Sequence, residues 1–309
     1  MQNNVVTNRV VKNSAVKNST LVKAKNAWIA SLELDFDCTE QRTRLTKIKR
    51  QGPLSVQKAF YPEGQRCAHV YLLHPPAGIV SGDELHLVAN LDNGADALIT
   101  TPGANRFYRA RDNLDIGDSK QVQISTFHLA SQSMLEYLPQ ETLIYSGADA
   151  VNQVDIHLVP DSIYLGWEIT CLGLPASQQP FTQGRFSQRN RIFCQQKLIY
   201  QDRIDITAAN ALLHHPAGLA GNTVMASFVL YVPALSVQQR HELLAQIRTL
   251  IIEVGAQQWL SVTDINGLVL ARYLGEHAQQ CKTLFIQIWQ RVRPLCKGKQ
   301  VHQPRIWFT

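Results

Sequence analysis

Short segments that alternate polar and apolar residues recur from residue 31 to residue 232. The segments 31–36 and 43–49 alternate strictly, and a period of two is typical of a half-buried strand. Further short apolar or alternating segments, separated by Gly, Pro and Asn, lie at 70–73, 84–91, 97–101, 121–127, 134–138, 154–159, 163–169, 186–193, 198–206 and 224–232. No helical periodicity intervenes, so the pattern predicts an all-β core and argues against a doubly wound α/β fold.

Two helices are predicted after residue 232. Ser236 is a suitable N-cap for an apolar stripe that ends at Gly255. A second stripe covers residues 281–292, and Pro294 ends it. Between the two helices, Asn266-Gly267 predicts the turn of a hairpin. The residue pattern alone therefore predicts a β-rich fold with two C-terminal helices.

The loop after the strand 70–73 is the first candidate for function. The strand stops at Pro75 and Pro76, which cannot donate to a strand ladder. Glycines in the same loop permit a positive φ or the close approach of another group. Loops of this kind on a rigid sheet often carry binding residues. The loop residues that we single out are His74, Gly78, Gly82 and Asp83.

A second Gly-Pro loop follows the strand 97–101 and contains Arg106, Tyr108 and Arg109. Guanidinium groups pair bidentately with carboxylates, so these residues are candidates for an anion or partner contact. Structural salt bridges around the loop are the alternative, and the sequence leaves both open.

Three acidic residues lie among apolar neighbours, where an ionised carboxylate must be paired, hydrogen-bonded or in contact with water or metal. Glu136 and Glu141 flank Pro139, and Glu168 follows Trp167. Strand alternation also allows outward positions for Glu136 and Glu168; the residue pattern favours that position for Glu136 and leaves Glu168 undecided. Asp83 can cap a turn by accepting backbone N–H bonds, which is compatible with a functional role.

Composition is that of a globular chain, with 309 residues, 45% hydrophobic and 17% charged. We find no run of the ~20 apolar residues that span a bilayer and no apolar block of a secretory signal at the N-terminus. The six cysteines form no C-x-x-C pair, which argues against a zinc site and a disulfide framework. Reduced thiols of this kind predict a cytoplasmic protein without a membrane partner.

The formal charge of +6 is concentrated at the N-terminus. Residues 1–26 contain five basic residues and no acid, which leaves +1 for residues 27–309. A basic tail on a nearly neutral body is not the basic face of a nucleic-acid-binding protein. We predict a disordered basic tail over residues 1–26, one β-rich domain over 27–309, and no nucleic-acid partner.

Sequence signatures of enzymes are missing. The chain has no P-loop, no H-E-x-x-H, no G-x-S-x-G and no G-x-G-x-x-G. An energy-driven step would therefore come from a partner, and we predict that the protein is not an enzyme. The alternative is a β-helical carbohydrate-active enzyme with paired carboxylates such as Asp83 and Glu136. The lack of a dense aromatic and acidic cleft pattern counts against that alternative.

Several motifs carry a resemblance to a known family. They are LLHPPAGIVSGD from Leu72, TPGANRFYRA from Thr101, LEYLPQET from Leu135, LGWEI from Leu165, ARYLG from Ala271 and PRIW from Pro304. In this order, from about Gly52 to the last residue, the chain resembles the UreD (UreH) family of urease accessory proteins. The resemblance implies layered, helicoid β-sheets with a few helices.

The resemblance also implies a non-enzymatic chaperone. Such proteins join a helical accessory protein of the UreF type and a GTPase of the UreG type, dock on apo-urease and assist nickel insertion. An internal water-lined passage would conduct Ni²⁺ as transient cargo, with no stably bound cofactor and no stable metal site. The candidates for that passage are Asp83, Glu136, Glu141, Glu168 and His74. The motif-loop candidates for partner contact are Gly78, Gly82, Arg106, Tyr108 and Arg109.

The chain departs from the family pattern at three positions. Ala77 and Ser81 stand where the first of two paired glycines is usual, and Leu174 stands where an arginine is often found. An added methyl group in a glycine loop is tolerated where φ is negative, so the effect of Ala77 and Ser81 depends on the sign of φ at each position. A lost arginine removes a charge contact at the loop around Leu174.

Overall fold

The computed structural model describes residues 28–40, 42–207 and 209–308. The tail predicted over residues 1–26 lies outside them. The strands are β1 Trp28–Thr39, β2 Arg42–Gln51, β3 Ser55–Val56, β4 Cys67–Leu73, β5 Asp83–Leu91, β6 Asp96–Thr100, β7 Asn105–Phe107, β8 Gln121–Leu129, β9 Met134–Leu138, β10 Thr142–Ile144, β11 Asp149–Leu158, β12 Ile163–Leu174, β13 Gln179–Pro180, β14 Arg185–Cys194, β15 Lys197–Thr207, β16 Val224–Tyr231, β17 Leu260–Ile265 and β18 Leu268–Gly275. The α-helices are α1 Val237–Glu253 and α2 Ala278–Val292.

The strands form two sheets. The first sheet has the order β15-β14-β11-β8-β5-β1-β2. The second sheet has the order β17-β18-β16-β12-β9-β6-β4-β3, with β10 beside β12 and β7, and β13 beside β12. Antiparallel pairs lie towards the sheet ends, while the central strands of both sheets run parallel.

The parallel strands arise because the chain alternates between the sheets. From β4 to β14 it crosses repeatedly, so that β4, β6, β9 and β12 pair in the second sheet and β5, β8, β11 and β14 pair in the first. Parallel neighbours need a crossover connection, usually a helix; here a strand of the opposite sheet supplies it. The prediction of layered β-sheets with two helices in the C-terminal half is confirmed.

Two apolar layers stabilise this arrangement. One lies between the sheets and includes Phe36 and Phe127. The other lies between the second sheet and the two helices and includes Trp167 and Phe285. Burying one such side chain contributes about 1.5–3 kcal/mol. Because both faces of the second sheet are covered, all five residues of β9 are buried.

The helix and turn predictions are confirmed in detail. Ser236 caps α1 through a reciprocal capping box with Gln239, which satisfies two of the free N–H groups at the helix start. The β17–β18 turn has positive φ at Asn266 and Gly267, of 53° and 85°, as a tight hairpin turn requires.

The outward positions considered for Glu136 and Glu168 are wrong. Glu136 is 0% exposed and faces the helices, where Trp289 and Arg293 donate to it. Glu168 faces the first sheet and accepts a hydrogen bond from Asn152. The Glu168 side chain does lie on the opposite side of β12 from Trp167 and Ile169, as strand alternation requires. However, the first sheet covers one face of the second sheet and the helices cover the other, so neither face is open to solvent.

Candidate functional site

The loop between β4 and β5 is closed by Asp83. The Asp83 carboxylate accepts the backbone N–H of Val80 at 3.0 Å, and the Asp83 N–H donates to the Val80 carbonyl at 3.0 Å. Asp83 is 5% exposed, and Gly82 before it has a φ of 86°. Asp83 therefore has the turn-capping role that its sequence position predicts.

Ala77 and Ser81, the two departures in the first motif loop, have different backbone conformations. Ala77 has a φ of +62°, so the condition for tolerating the added methyl group is not met there, and Ala77 adopts a left-handed conformation that glycine adopts most readily. Ser81, the other departure, has no positive φ. A side chain at Gly78 would place its Cβ 2.4 Å from the Tyr108 ring, so this glycine is required for close packing of the two loops.

Backbone hydrogen bonds join the two Gly-Pro loops. The Ile79 N–H donates to the Arg106 carbonyl at 2.7 Å, and the Tyr108 N–H donates to the Ile79 carbonyl at 3.1 Å. The buried Gln121 amide donates to the Ile79 and Tyr108 carbonyls at 2.7 and 2.8 Å. The loops therefore form one rigid unit above β8.

The three loop side chains have different environments. Arg106 donates to the Ala77 carbonyl at 3.2 Å, inside the joined loops. Tyr108 packs edge-on against Tyr145. Arg109 is exposed and pairs with Asp112 at 3.2 Å. Arg109 is thus the most accessible of the three for a partner contact, and Arg106 contributes to loop structure.

A cavity of about 240 Å³ lies between the sheets beneath these loops. We call it the His74 cavity, lined among others by His74, Arg106, Gln123, Tyr137 and Glu168. The His74 Nε2 atom is buried and has no hydrogen-bond partner among the described residues. Burial lowers the pKa of His74, and the nearby Asp83 charge opposes that shift. A neutral imidazole with a free nitrogen is suited to bind water or a cation.

A second cavity of about 450 Å³ lies beside the first. We call it the Arg272 cavity, lined among others by Glu168, Gln188, Asn190, Asp202 and Arg272. Glu168 lines both cavities. Asp202 and Arg272 approach to 3.5 Å in the Arg272 cavity.

Polar side chains cross the inner face of the first sheet between the cavities. Gln123, Asn152 and Gln188 are aligned on neighbouring strands β8, β11 and β14, and Asn190 follows two residues further along β14. We call these four residues the amide row. The Oδ1 atoms of Asn152 and Asn190 are buried without a hydrogen-bond partner in the described part of the chain. Unpartnered buried oxygens at a roomy polar site are what ordered water or a passing ion would satisfy.

Glu168 faces the amide row from the second sheet. The Asn152 amide donates to Glu168 Oε2 at 3.1 Å, while Oε1 is buried without a partner in the described ranges. Burial raises the pKa of Glu168 to about 7, and the Asn152 hydrogen bond opposes the shift. The residue borders the cavities, so part of its surface is accessible to small solutes although its carboxylate is shielded from bulk water.

The comparisons with known proteins point to one family. The family model "UreD urease accessory protein" matches residues 29–308. The chain belongs to the UreD family. It is 57% identical to the urease accessory protein UreD of Psychromonas ingrahamii over 93% of this chain and 96% of that protein. It is also 39% identical to UreD of Marinomonas sp. and 37% identical to UreD of Hahella chejuensis, each over 91% of this chain and at least 90% of the relative.

UreD-family membership confirms the predicted resemblance and gives the chain a role in urease maturation. Urease accessory proteins are chaperones, not enzymes, and act together with urease and other accessory proteins. The alternative of a carbohydrate-active enzyme is therefore wrong. Within the described residues, the structure has no helix with the length and apolar character to cross a membrane.

The structure brings only some of the candidate residues of this UreD chain together. His74, Arg106 and Glu168 line one cavity, and Asp83 is close enough to influence His74. Glu136 lies on the opposite face of the second sheet. Glu141 borders a separate cavity with Glu276, His277 and the apolar β12–β13 connection.

Sequence reasoning missed the amide row. Its residues lie on the same side of their strands as buried apolar residues: Gln123 lies on the side of Phe127, and Asn152 on the side of Ile156. Polar residues at core positions of three strands are a signal that could be read from sequence. Their alignment could not, because it depends on the register of parallel strands that are distant along the chain.

One group of described residues has donor atoms close enough for a metal ion. Donor atoms of Glu63, Cys67 and His69 lie within 4.8 Å of one another. However, Glu63 Oε1 already accepts from His69 Nε2 at 2.6 Å and from Arg293 at 2.6 Å. The guanidinium charge takes the place that a cation would need, so we assign this group to a structural ion network.

Proposed function

We propose that this UreD-family chain conducts Ni²⁺ to apo-urease within a complex. Its partners there are a helical accessory protein of the UreF type and a GTPase of the UreG type. Ni²⁺ is transient cargo that moves through the His74 and Arg272 cavities and is not stored. The proposal is supported most by one observation: Glu168 borders both cavities at the level of the amide row.

The donors along this route suit a moving ion. An ion that leaves bulk water needs negative or dipolar groups along its path. Glu168 supplies a carboxyl group, His74 a free ring nitrogen, and Asn152 and Asn190 supply amide oxygens without partners in the described chain. Ni²⁺ binds tightly to clustered imidazoles and thiolates. A sparse set dominated by oxygen therefore favours release over storage.

The other carboxylates of the predicted passage contribute differently. Asp83 holds the loop above the His74 cavity and acts on His74 through its charge. Glu136 is held by Arg293 behind the sheet, and Glu141 borders a separate cavity. We therefore expect Glu168 to have the largest effect on delivery, and Asp83 to act through the position and charge of the His74 loop.

The test is urease activation by the reconstituted complex with Asp83→Ala, Glu136→Ala, Glu141→Ala and Glu168→Ala chains. Glu168→Ala should slow activation without preventing assembly, because it removes a group along the path and no docking surface. A barrier raised by about 1.4 kcal/mol slows transfer roughly tenfold, which an activation time course resolves.

Gel filtration of each variant complex must accompany the kinetics, because a misfolded chain would also slow activation. Glu84→Ala is a matched control, since Glu84 lies on the opposite face of the first sheet beside His86. Normal activation rates for all four variants in assembled complexes would show that these carboxylates are structural and that the passage is wrong.

A further inference from the structure

A row of polar side chains crosses the inner face of the second sheet. Glu168 on β12, Ser227 on β16, Arg272 on β18 and Ser261 on β17 are aligned by the register of these neighbouring strands. All four residues line the Arg272 cavity. Neighbouring strands lie about 4.8 Å apart, so Glu168 and Arg272, which are two strands apart, are separated by roughly 10 Å across the sheet. A solute that leaves Glu168 in this direction therefore meets Ser227 and then Arg272.

Asp202 faces this row from the first sheet. It lies on β15 directly beside Asn190 of the amide row, so polar residues of both sheets meet at this end of the cavity. The Ser227 hydroxyl donates to Asp202 Oδ2 at 3.5 Å, and Arg272 Nη2 lies 3.5 Å from the same oxygen. The side chains of Asp202 and Arg272 are 34% and 51% exposed. The pair therefore joins the two sheets at an open end of the cavity.

The contact between Asp202 and Arg272 is loose for a pair of this exposure. Arg185 and Asp205 are 51% and 33% exposed, and two hydrogen bonds of 3.0 and 2.7 Å join them. Asp202 and Arg272 have nearly the same exposure, yet their charged atoms stay 3.5 Å apart. Because exposed ion pairs contribute little to stability even with good geometry, Arg272 can leave Asp202 at a small cost in free energy.

Arg272 also has room to move away from Asp202. Its neighbours in the row, Ser227 and Ser261, have short side chains. The hydroxyl of Tyr200 is buried without a hydrogen-bond partner in the described chain. Burial raises the pKa of Tyr200, and the charges of Asp202 and Arg272 act on it in opposite directions. The neutral phenol can therefore accept a hydrogen bond from a displaced guanidinium group.

We infer that Asp202 is the carboxylate that receives a divalent cation at the open end of the Arg272 cavity, and that Arg272 occupies this place until the cation displaces it. The inference rests on the proposed function for the identity of the cation, Ni²⁺. In the exchange, a guanidinium group with one positive charge gives way to an ion with two, and the attraction to the carboxylate grows with that charge. The Ser227 hydroxyl and Asn190 Oδ1, which is buried and unpartnered among the described residues, supply further oxygen donors.

Competition by Arg272 limits how long Asp202 holds the ion. When the guanidinium group returns to Asp202, the ion loses the carboxylate and is released. The exchange therefore suits an ion that is passed on and not stored. Without Arg272, Asp202 should bind the same ion more tightly.

The test is a titration of the full chain with NiCl₂, followed by nuclear magnetic resonance. Bound Ni²⁺ is paramagnetic and broadens only nearby signals, so the backbone amides of Asn190, Asp202 and Ser227 report on this site. The exposed His214 and His215 lie close in sequence to lining residues of the same cavity and could also bind the ion. The parent protein and all variants therefore carry His214→Ala and His215→Ala.

The variants separate the carboxylate from its competitor. Asp202→Asn should abolish the broadening at the three amides, whereas Asp202→Glu keeps a carboxylate and should keep the broadening. Arg272→Gln should lower the Ni²⁺ concentration that causes broadening roughly tenfold, because it removes both the competitor and a repelling charge. The double variant Asp202→Asn with Arg272→Gln should behave like Asp202→Asn alone.

Arg185→Gln and Asp205→Asn are the matched controls. They make the same changes of charge at nearly the same exposure, at residues that do not line the Arg272 cavity. Neither should change the broadening at the three amides. Thermal melts establish which variants fold, and Arg272→Ala serves if Arg272→Gln does not fold.

Two results would overturn the inference. One is the same broadening in folded Asp202→Asn and its parent. The other is Ni²⁺ binding at the three amides that Arg272→Gln weakens or leaves unchanged. Urease activation by the reconstituted complex separates this inference from the proposed function. If Asp202 binds Ni²⁺ as described but activation ignores both Asp202 and Glu168, the inference stands and the proposed function fails. If activation requires Glu168 but the broadening ignores Asp202, the proposed function stands and the inference fails.

Discussion

Arg293 donates through two nitrogen atoms to the carboxylate of Glu136, which lies 157 positions earlier in the chain. Its Nε donates to both carboxylate oxygens at 3.0–3.1 Å, and its Nη2 donates to Oε1 at 3.0 Å. Trp289 Nε1 donates to the same carboxylate at 2.7 Å. Both charged side chains are at most 1% exposed. The contact fixes the end of α2 against the centre of β9.

Removal of one partner from this pair should destabilise the fold strongly. Glu136→Ala leaves the buried Arg293 charge with Glu63 as its remaining carboxylate, and loss of one member of a buried pair typically costs about 3–5 kcal/mol. The free energy of unfolding from denaturant titration measures this. Glu33→Ala breaks a surface pair with Lys47 and should cost about 1 kcal/mol or less. Equal losses in the two variants would contradict a structural role for Glu136.

The apolar stripe of α1 gives a second prediction. Leu244 is 5% exposed and Ile252, in the same helix, is 62% exposed. Leu244→Asp places a charge in the layer beneath the second sheet and should remove most of the folded, soluble protein, because an ionised carboxylate is costly to bury among apolar side chains. Ile252→Asp should be tolerated. Soluble yield and thermal melting compare them, and similar behaviour of both variants would show that α1 is not packed as described.

Element types were predictable from local pattern, and their pairing was not. Alternation located β9 at 134–138 with the bounds that the structure gives, and the residues Ser236 and Gly267 located a helix start and a turn. Parallel pairing of β8, β11 and β14 joins segments separated by a strand of the other sheet. Alternation with a period of two is equally compatible with an antiparallel meander, so it does not predict this parallel pairing.

The candidate site was predictable at the level of residue type. Glu168 stood out because an acidic residue among bulky apolar neighbours needs a partner. The prediction that its side chain lies on the opposite side of the strand from Trp167 is correct. What lies on each side of a strand depends on the layers around it, so alternation favoured a solvent position for Glu136 and left Glu168 undecided. The helices cover one face and the first sheet covers the other, which makes Glu168 a cavity residue and Glu136 a structural one.

The conformation of the first motif loop gives a third prediction. Ala77 has a φ of +62°, and a left-handed conformation costs a non-glycine residue roughly 1–2 kcal/mol. Ala77→Gly relieves this strain but adds freedom to the unfolded chain, which offsets about 0.4–1 kcal/mol. The net gain in unfolding free energy should lie between about 0 and about 1.6 kcal/mol.

Ser81→Gly is the matched control for Ala77→Gly. Ser81 has no positive φ, and its hydroxyl accepts the Arg111 N–H at 2.7 Å. This variant should lose about 1 kcal/mol. Denaturant titration of both variants tests the comparison, and destabilisation by Ala77→Gly would show that the loop is not strained at Ala77.

The pKa of Glu168 makes stability depend on pH in a definite direction. An unfolded glutamate has a pKa of 4.5, whereas burial raises it to about 7 in the folded chain. Stability from this group is therefore fully present below pH 4.5 and is lost as pH rises through about 7. Since one pKa unit corresponds to about 1.4 kcal/mol, ionisation of Glu168 should remove roughly 3 kcal/mol of stability at alkaline pH.

Glu168→Gln keeps the size of the side chain and cannot ionise, so it should remove this dependence. The variant should be more stable than wild type by up to roughly 3 kcal/mol well above pH 7, and the gap should close as pH falls towards 4.5. Unfolding free energies of both proteins across this range, without added metal, measure the difference. Glu141→Gln, outside the two cavities, corrects for general effects of charge removal. A gap that is independent of pH would mean that folding does not raise the pKa of Glu168, which would contradict an uncompensated buried carboxylate at the junction of the two cavities.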